Sequence, residues 1–303
     1  MMKKNLFATV LTYAAPSSNY RGESEENRTI IQKITRGDHE FAVISPEAMR
    51  NALREILAKR ELPMNRRRLH DEDQLAVEYQ AYPDASKYAD DFLFGHLVAD
   101  QAEVKKNKGK PAKRDSILRM NMAVALTPYR YDATFHQSPV NAGASPWKNA
   151  STSALLHREV TYTAFQYPFA LNFQDATRGA NDKPHPNGAA WTRALVAAIG
   201  ELSGVAGAHA RSLFEMAPRS VVARLTPRLA AGFDIYGFAS DGSFPELARL
   251  RPADLPPDEF YVGGEIVRAM SDAERERLTA AGARLFDSAP KALDAAAADG
   301  LGA

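Results

Sequence analysis

The sequence predicts an α+β protein whose core runs strand, helix, strand, strand, helix, strand, and three observations predict it. Phe165, Tyr167, Phe169, Leu171 and Phe173 recur at a spacing of two, the period that places side chains on one face of a sheet. Two segments, around residues 45–58 and 187–202, carry apolar stripes at helical spacing. A connection of about 30 residues, 127–157, then separates two strand-like segments where hairpin loops ordinarily span ~2–5 residues.

The bulk numbers bound the class. At 303 residues the chain can bury a large core, and 45% hydrophobic with 25% charged residues is an ordinary globular balance. The formal net charge of +1 conceals blocks of opposite sign. Without cysteine there is no disulfide framework and no thiolate chemistry. No apolar run approaches the ~18 residues that span a bilayer, and Met1–Val10 lacks the long apolar stretch and small-residue cleavage site of an export signal. The expectation is a cytoplasmic protein with no membrane contact.

In chain order, residues 5–13 alternate as a first strand, and the polar stretch 17–28 reads as a loop holding Arg21 and Gly22. Glycine permits close backbone approach to a ligand and arginine suits phosphate. Phe41–Ile44 leads into a helix punctuated by Ser45 as N-cap, Pro46 at the first position and Glu47 toward the dipole. Met49, Leu53, Ile56 and Leu57 form its apolar stripe, with Arg50 and Arg54 on one flank. Residues 59–115 interrupt the pattern with Arg66–Arg68, acidic Asp71–Asp73 and Asp90–Asp91, the last read as a solvated helix face. This stretch closes on Lys105, Lys106, Lys108, Lys110, Lys113 and Arg114, where Gly109 and Pro111 favour a flexible basic loop that could contact a polyanion.

A strand at 117–126 follows, then the polar connection 127–157 with Tyr129, Arg130, Tyr131, Phe135, His136, Gln137 and Trp147, read as a structured arm. Residues 158–173 are the third core strand, 187–202 the second helix and 219–226 the last core strand. Residues 232–238 look strand-like, 272–286 helical, and 291–303 rich in alanine and glycine and prone to fray. The order βαββαβ is that of a ferredoxin-like domain, also used by RRM modules, here with two insertions.

No phosphate-loop, zinc-protease or nucleophile-elbow pattern occurs, and the seven histidines lack ligand spacing. Asp132, at the root of the arm, is the one acid that could support metal-assisted cleavage, against a bland role in a turn.

Six segments in order carry a resemblance: Asn19–Glu23, Ile44–Arg54, Ala89–Gly95, Arg114–Met120, Leu156–Ala170 and Val205–Pro218. Together they resemble the DevR-type CRISPR-associated proteins, the backbone ("Cas-seven") subunits of type I Cascade surveillance complexes, over residues 5 to 240. The resemblance implies an RRM-like palm in segments 1–58, 116–126 and 158–240. It adds a helical finger insertion at 59–115, a thumb arm at 127–157 and a C-terminal extension at 241–303. It implies no enzyme activity, cofactor or metal. Copies would bind head to tail along a CRISPR guide RNA, present it to target DNA, and assemble with a 5′-handle-binding subunit, large and small subunits and a guide-processing endonuclease.

Carried over by position, Asn19, Arg21, Gly22, Ser45, Arg50, Arg54, Arg66, Arg67, Arg114, Arg119 and Arg158 would meet the RNA. Phe135, His136, Gln137 and Trp147 would do so from the thumb, and Lys105, Lys106, Lys108, Lys110 and Lys113 would hold target DNA. One departure is Ala208, beside His209 and Arg211, where the family pattern has asparagine. Two other readings stand beside this one: an RNA-cleaving subunit of the type III kind using Asp132, and a stand-alone RNA-binding regulator.

Overall fold

The computed structural model describes residues 5–17, 20–25, 28–70, 75–137, 155–179, 183–205 and 215–302. Its centre is a nine-stranded sheet. Along the sheet lie Arg284–Phe286, Phe260–Gly264, Pro218–Thr226, Asn5–Thr12, Phe165–Asn172, Ala123–Ala125, His39–Ile44 and Lys33–Arg36, with Leu118–Met120 also paired to Phe165–Asn172. Every pairing is antiparallel except that of the last two strands in sequence, Phe260–Gly264 and Arg284–Phe286.

Alternation along the strands divides the core in two. Leu6, Ala8, Val10, Val221, Ala223 and Leu225 face the helices Pro46–Lys59, Gly188–Gly200 and Ala289–Leu301. Leu11, Val222, Phe260 and Val262 face the other way, under Phe233, Phe238, Phe244, Leu247 and Leu255. Phe165, Tyr167, Phe169, Leu171 and Phe173 are all buried on the helical side, as their spacing predicts. The intervening Gln166 is buried too, because its amide bonds both the carbonyl and the N–H of Phe238. Both faces of the sheet are therefore covered in its middle.

The first helix begins as its sequence dictates, with the Ser45 hydroxyl accepting from the Ala48 N–H at 3.2 Å and Pro46 in the first turn. Met49, Leu53 and Leu57 are fully buried. The second helix buries Trp191, Leu195, Val196 and Ile199 and packs on the first.

Several expectations are corrected. Within 17–28 the described residues do not form a loop: Tyr20–Glu25 and Arg28–Ile31 are strands, and the register between them shifts from Tyr20 to Ser24, so Arg21 and Gly22 fall in a bulge. The 59–115 insertion is not helical as a whole. It holds the hairpin Arg66–His70 with Leu75–Tyr79, two six-residue helices, Ala89–Phe94 and Gln101–Lys106, and the short pair His96–Leu97 with Lys113–Arg114. Residues 232–238 form turns rather than a strand, placing Phe233 and Phe238 in the second core.

The tail does not fray. Ala289–Leu301 is a helix that buries Ala292, Leu293, Ala296 and Ala297 against the second helix and the strands Pro218–Thr226 and Phe260–Gly264. Alanine is the best helix former and here also the side chain small enough for close packing.

Candidate nucleic-acid interface

The helix Ala89–Phe94 organises the richest cluster of functional side chains. Its two acids are buried, not solvated. Asp90 accepts the Asn65 and Arg66 backbone N–H groups, each at 2.8 Å, and Asp91 accepts the Asn65 side-chain amide at 2.8 Å and the Asp84 N–H at 2.9 Å. Burial pushes the Asp91 carboxyl above its ordinary value against these hydrogen bonds. The pair thus fixes the base of the Arg66–Tyr79 hairpin. Gly95 ends the helix at φ 67°, and a Cβ there would lie 2.4 Å from the Arg114 carbonyl oxygen. Only glycine lets the strand carrying Arg114 pass this close.

Four arginines converge on this frame. Arg54 lies 4.3 Å above the Phe94 ring and Arg50 reaches both the Phe94 carbonyl and the Ser116 hydroxyl. Arg66 sits 5.0 Å over Tyr79 and bonds its hydroxyl, while Arg114 lies 4.9 Å over Phe92. None of the four makes an ion pair among the described residues. By contrast, Arg219 and Arg224 are matched by Glu265 and Glu259.

The Nε groups of Arg50, Arg54 and Arg114 are buried without hydrogen-bond partners. Burial, reinforced by Arg66 and Arg50, pulls Arg54 down to about 10, and burial likewise lowers Arg50 and Arg114. All remain cations at neutral pH. Arg50, Arg54 and Arg66 are half-buried and repel one another, so an anion stabilises them, and a chain of phosphates supplies several at once.

The other sequence-derived sites fall elsewhere. Ser45 belongs to the same helix, but its hydroxyl is engaged as the cap. Arg67 and Arg119 are exposed, and Arg158 is half-buried within the strand Leu155–Glu159. Arg21 and Gly22 lie on the edge strand of a separate four-stranded sheet, ordered Ala133–Gln137, Leu155–Glu159, Arg28–Ile31, Tyr20–Glu25. This sheet forms the root of the arm and contains Phe135, His136 and Gln137. Phe135 is exposed, its ring 5.3 Å from His157. Asn19, Trp147, Ala208, His209 and Arg211 lie outside the described residues.

The lysines are not a flexible loop throughout. Lys105 and Lys106 close the helix Gln101–Lys106, where cations complement the dipole, and Lys113 pairs in a strand with Leu97. Lys106 bonds Glu103 at 2.6 Å and Lys113 lies 3.7 Å from Asp115, so Lys105, Lys108 and Lys110 carry most of the uncompensated charge there. Asp132 precedes the strand Ala133–Gln137, its Oδ1 accepting from the Ala133 N–H and its carbonyl from the Val160 N–H.

A second cluster, which the sequence did not disclose, joins the arm to the main sheet. The Glu159 carboxylate accepts from the Ile31 N–H, the Tyr129 hydroxyl and the Lys33 ammonium, and Lys33 also lies 4.1 Å over the Tyr129 ring. Burial works against the charge, but these bonds together hold Glu159 below its ordinary value. The partners are up to 128 residues apart, and no local pattern connects them.

No protein-family model matches the chain. It is 32% identical over 296 residues to the CRISPR-associated protein Cas7/Cst2/DevR of Myxococcus xanthus (strain DK1622), covering 92% of this chain and 93% of that one. Its fold is similar to a chain of a CRISPR RNA-guided surveillance complex in a pre-nicking state, with a TM-score of 0.63 at 14% identity, covering 98% of this chain and all of that one. A chain of a further CRISPR RNA-guided surveillance complex aligns with a TM-score of 0.58, also at 14% identity, over 97% and 98%. With a relative this similar over nearly its whole length, the chain belongs to the Cas7/Cst2/DevR family of CRISPR-associated proteins.

Proposed function

We propose that this protein is a non-catalytic backbone subunit that holds a CRISPR guide RNA in a type I Cascade surveillance complex in the cytoplasm. Copies bind head to tail along the RNA, the open arrangement that gives a filament, and present it for pairing with target DNA. The observation that carries the reading is the convergence of Arg50, Arg54, Arg66 and Arg114 on aromatic rings with no ion pair to a carboxylate among the described residues. Such a site reads charge and spacing and is indifferent to base identity, as a guide-holding subunit requires.

The four strands Pro218–Thr226, Asn5–Thr12, Phe165–Asn172 and Ala123–Ala125, with the helices Pro46–Lys59 and Gly188–Gly200, support a ferredoxin-like, RRM-like palm. In that reading 59–115 is the finger and 127–157 the thumb, and Lys105, Lys108 and Lys110 face target DNA. The palm differs from an RNA-stacking module in having its second sheet face covered by Phe233, Phe238 and Phe244. RNA accordingly runs on the side of the first helix and the insertion.

The test is purification of the protein, with partner subunits, from cells carrying a repeat array, followed by mass measurement and sequencing of bound RNA. Guide-length RNA with several protein copies is the expected result; RNA-free protein would overturn the proposal. Arg54→Ala should weaken binding irrespective of guide sequence and lower the salt slope by about one unit. Metal-dependent cleavage of RNA that vanishes in Asp132→Ala would replace the non-catalytic reading with an enzymatic one.

A further inference from the structure

The C-terminal part of the chain builds a pocket on the sheet face turned away from the four arginines. Its floor belongs to the second core: Phe244, Leu247 and Ile266 are buried there, Met270 is half-buried, and exposed Pro245 and Ala269 also line it. The open cavity measures about 380 Å³, an ordinary size for a ligand site.

The polar lining is unequal in charge. Asp241, Glu265 and Glu274 supply three carboxylates against the single guanidinium of Arg219. That guanidinium is already taken, its Nε donating to Glu265 at 2.6 Å and a second bond joining the same pair. Glu274 meets only Arg277, at 4.0 Å, and Asp241 makes no ion pair among the described residues. Bonds from the Ser243 hydroxyl and N–H hold the Asp241 carboxyl below its ordinary value, so it is charged at neutral pH. The walls are fixed by backbone structure. Gly242 turns the chain at φ 84°, the Ala239 N–H donates to the Ser243 carbonyl at 2.9 Å, and the Ser220 hydroxyl accepts from the Ile266 N–H at 3.0 Å. Arg219 also lies 5.9 Å over the ring of Tyr13, which is 53% exposed, so an aromatic surface continues from the pocket.

An apolar floor beside an excess of carboxylates suits a segment that pairs an aliphatic side chain with lysine or arginine. The aliphatic group fills the floor, the cation meets Asp241 and Glu274, and its methylenes lie along apolar surface. Phosphates are repelled here, and a bare metal ion has no use for the floor. We propose that this pocket docks a basic, aliphatic-bearing peptide segment of a different protein. The site stands independently of the RNA-binding reading, since none of the four arginines lines it.

The test uses the full chain with p-benzoylphenylalanine in place of Ala248, an exposed residue of the pocket lining, irradiated in cells that also hold the partner subunits. The expected adduct, mapped by mass spectrometry, joins a segment of another protein in which lysine or arginine neighbours leucine, isoleucine or methionine. A fluorescent peptide alternating leucine and arginine should bind the purified chain, more weakly as salt rises. Replacing its leucines by serine should abolish binding. The Asp241→Asn/Glu274→Gln double variant should bind the peptide about fivefold more weakly, as loss of two exposed charge pairs predicts, with the fold intact by circular dichroism. An adduct to RNA or to a second copy of this chain, or no adduct at all, would overturn the assignment. So would peptide binding that ignores the changes at Asp241 and Glu274.

Discussion

Arg54 shows how much a single side chain can be asked to do. It stacks on Phe94, accepts the nearby charge of Arg50 and Arg66, and bonds only the Asn51 side chain. Spacing placed Arg50 and Arg54 on one flank of the helix, but the rings beneath them come from a segment some 40 residues later. Gly95 is the matching backbone constraint. Gly95→Ala should cost about 3 kcal/mol, from a strained positive φ and a clash with the Arg114 carbonyl. Chemical denaturation would measure it, and RNA affinity should fall in parallel because Arg114 and Phe94 both move.

Among the elements, the terminal helix is where sequence and structure part most clearly. Composition at 291–303 suggests fraying, because alanine and glycine bury little area each. Tertiary packing reverses this: Leu293 is fully buried, and Gly300 sits so close to the Phe173 ring that an added Cβ would be 2.2 Å from it. Leu293→Ala should cost about 2–4 kcal/mol, read as a lowered melting temperature with the salt slope of RNA binding unchanged. An unchanged melting temperature would show that the helix contributes little. The arm is the opposite case. Its aromatic content and absence of low complexity marked it as structured, and at its described ends Ala133–Gln137 pairs with Leu155–Glu159. Its attachment through Glu159, Tyr129 and Lys33 was invisible, because contacts of such separation leave no local signature.

At the scale of the whole molecule, two buried titratable groups, His185 and Glu159, contribute to the response to acid. The His185 ring packs on Phe92 and Trp191, its Nε2 donates to the Ala85 carbonyl at 3.1 Å, and its Nδ1 accepts from the Asn187 N–H. Burial and the Arg114 charge lower its pKa, so the folded state resists protonation. Stability should therefore begin to fall as pH drops through the unfolded value of about 6.5 and level off below the folded value. Glu159 acts lower. Its folded pKa is depressed, so its contribution is complete above the unfolded value of about 4.3 and lost as pH falls through the folded one. Thermal melts from pH 8 to 3 should show both phases; His185→Gln should remove the upper and Glu159→Gln should diminish the lower, to which Asp84, Asp254 and Glu265 also contribute. His185 joins the insertion to the second helix, and Glu159 joins the arm to the main sheet, so acid should loosen the insertion first.

What the sequence determined by itself was whatever repeats locally. The spacing of Phe165 to Phe173, the Ser45–Pro46 cap, the two amphipathic helices and the interrupting insertions gave the core order of elements. The six ordered segments gave the family. Tertiary structure alone decided which cations lack acidic partners, since Arg219 and Arg224 look no different in sequence from Arg54 until Glu265 and Glu259 are brought beside them. It also decided that Asp90 and Asp91 are buried and that the second sheet face is covered. The physical reason is common to all of these. Periodicity records which way a side chain points relative to its own element, whereas burial and charge pairing depend on what a distant part of the chain places opposite it.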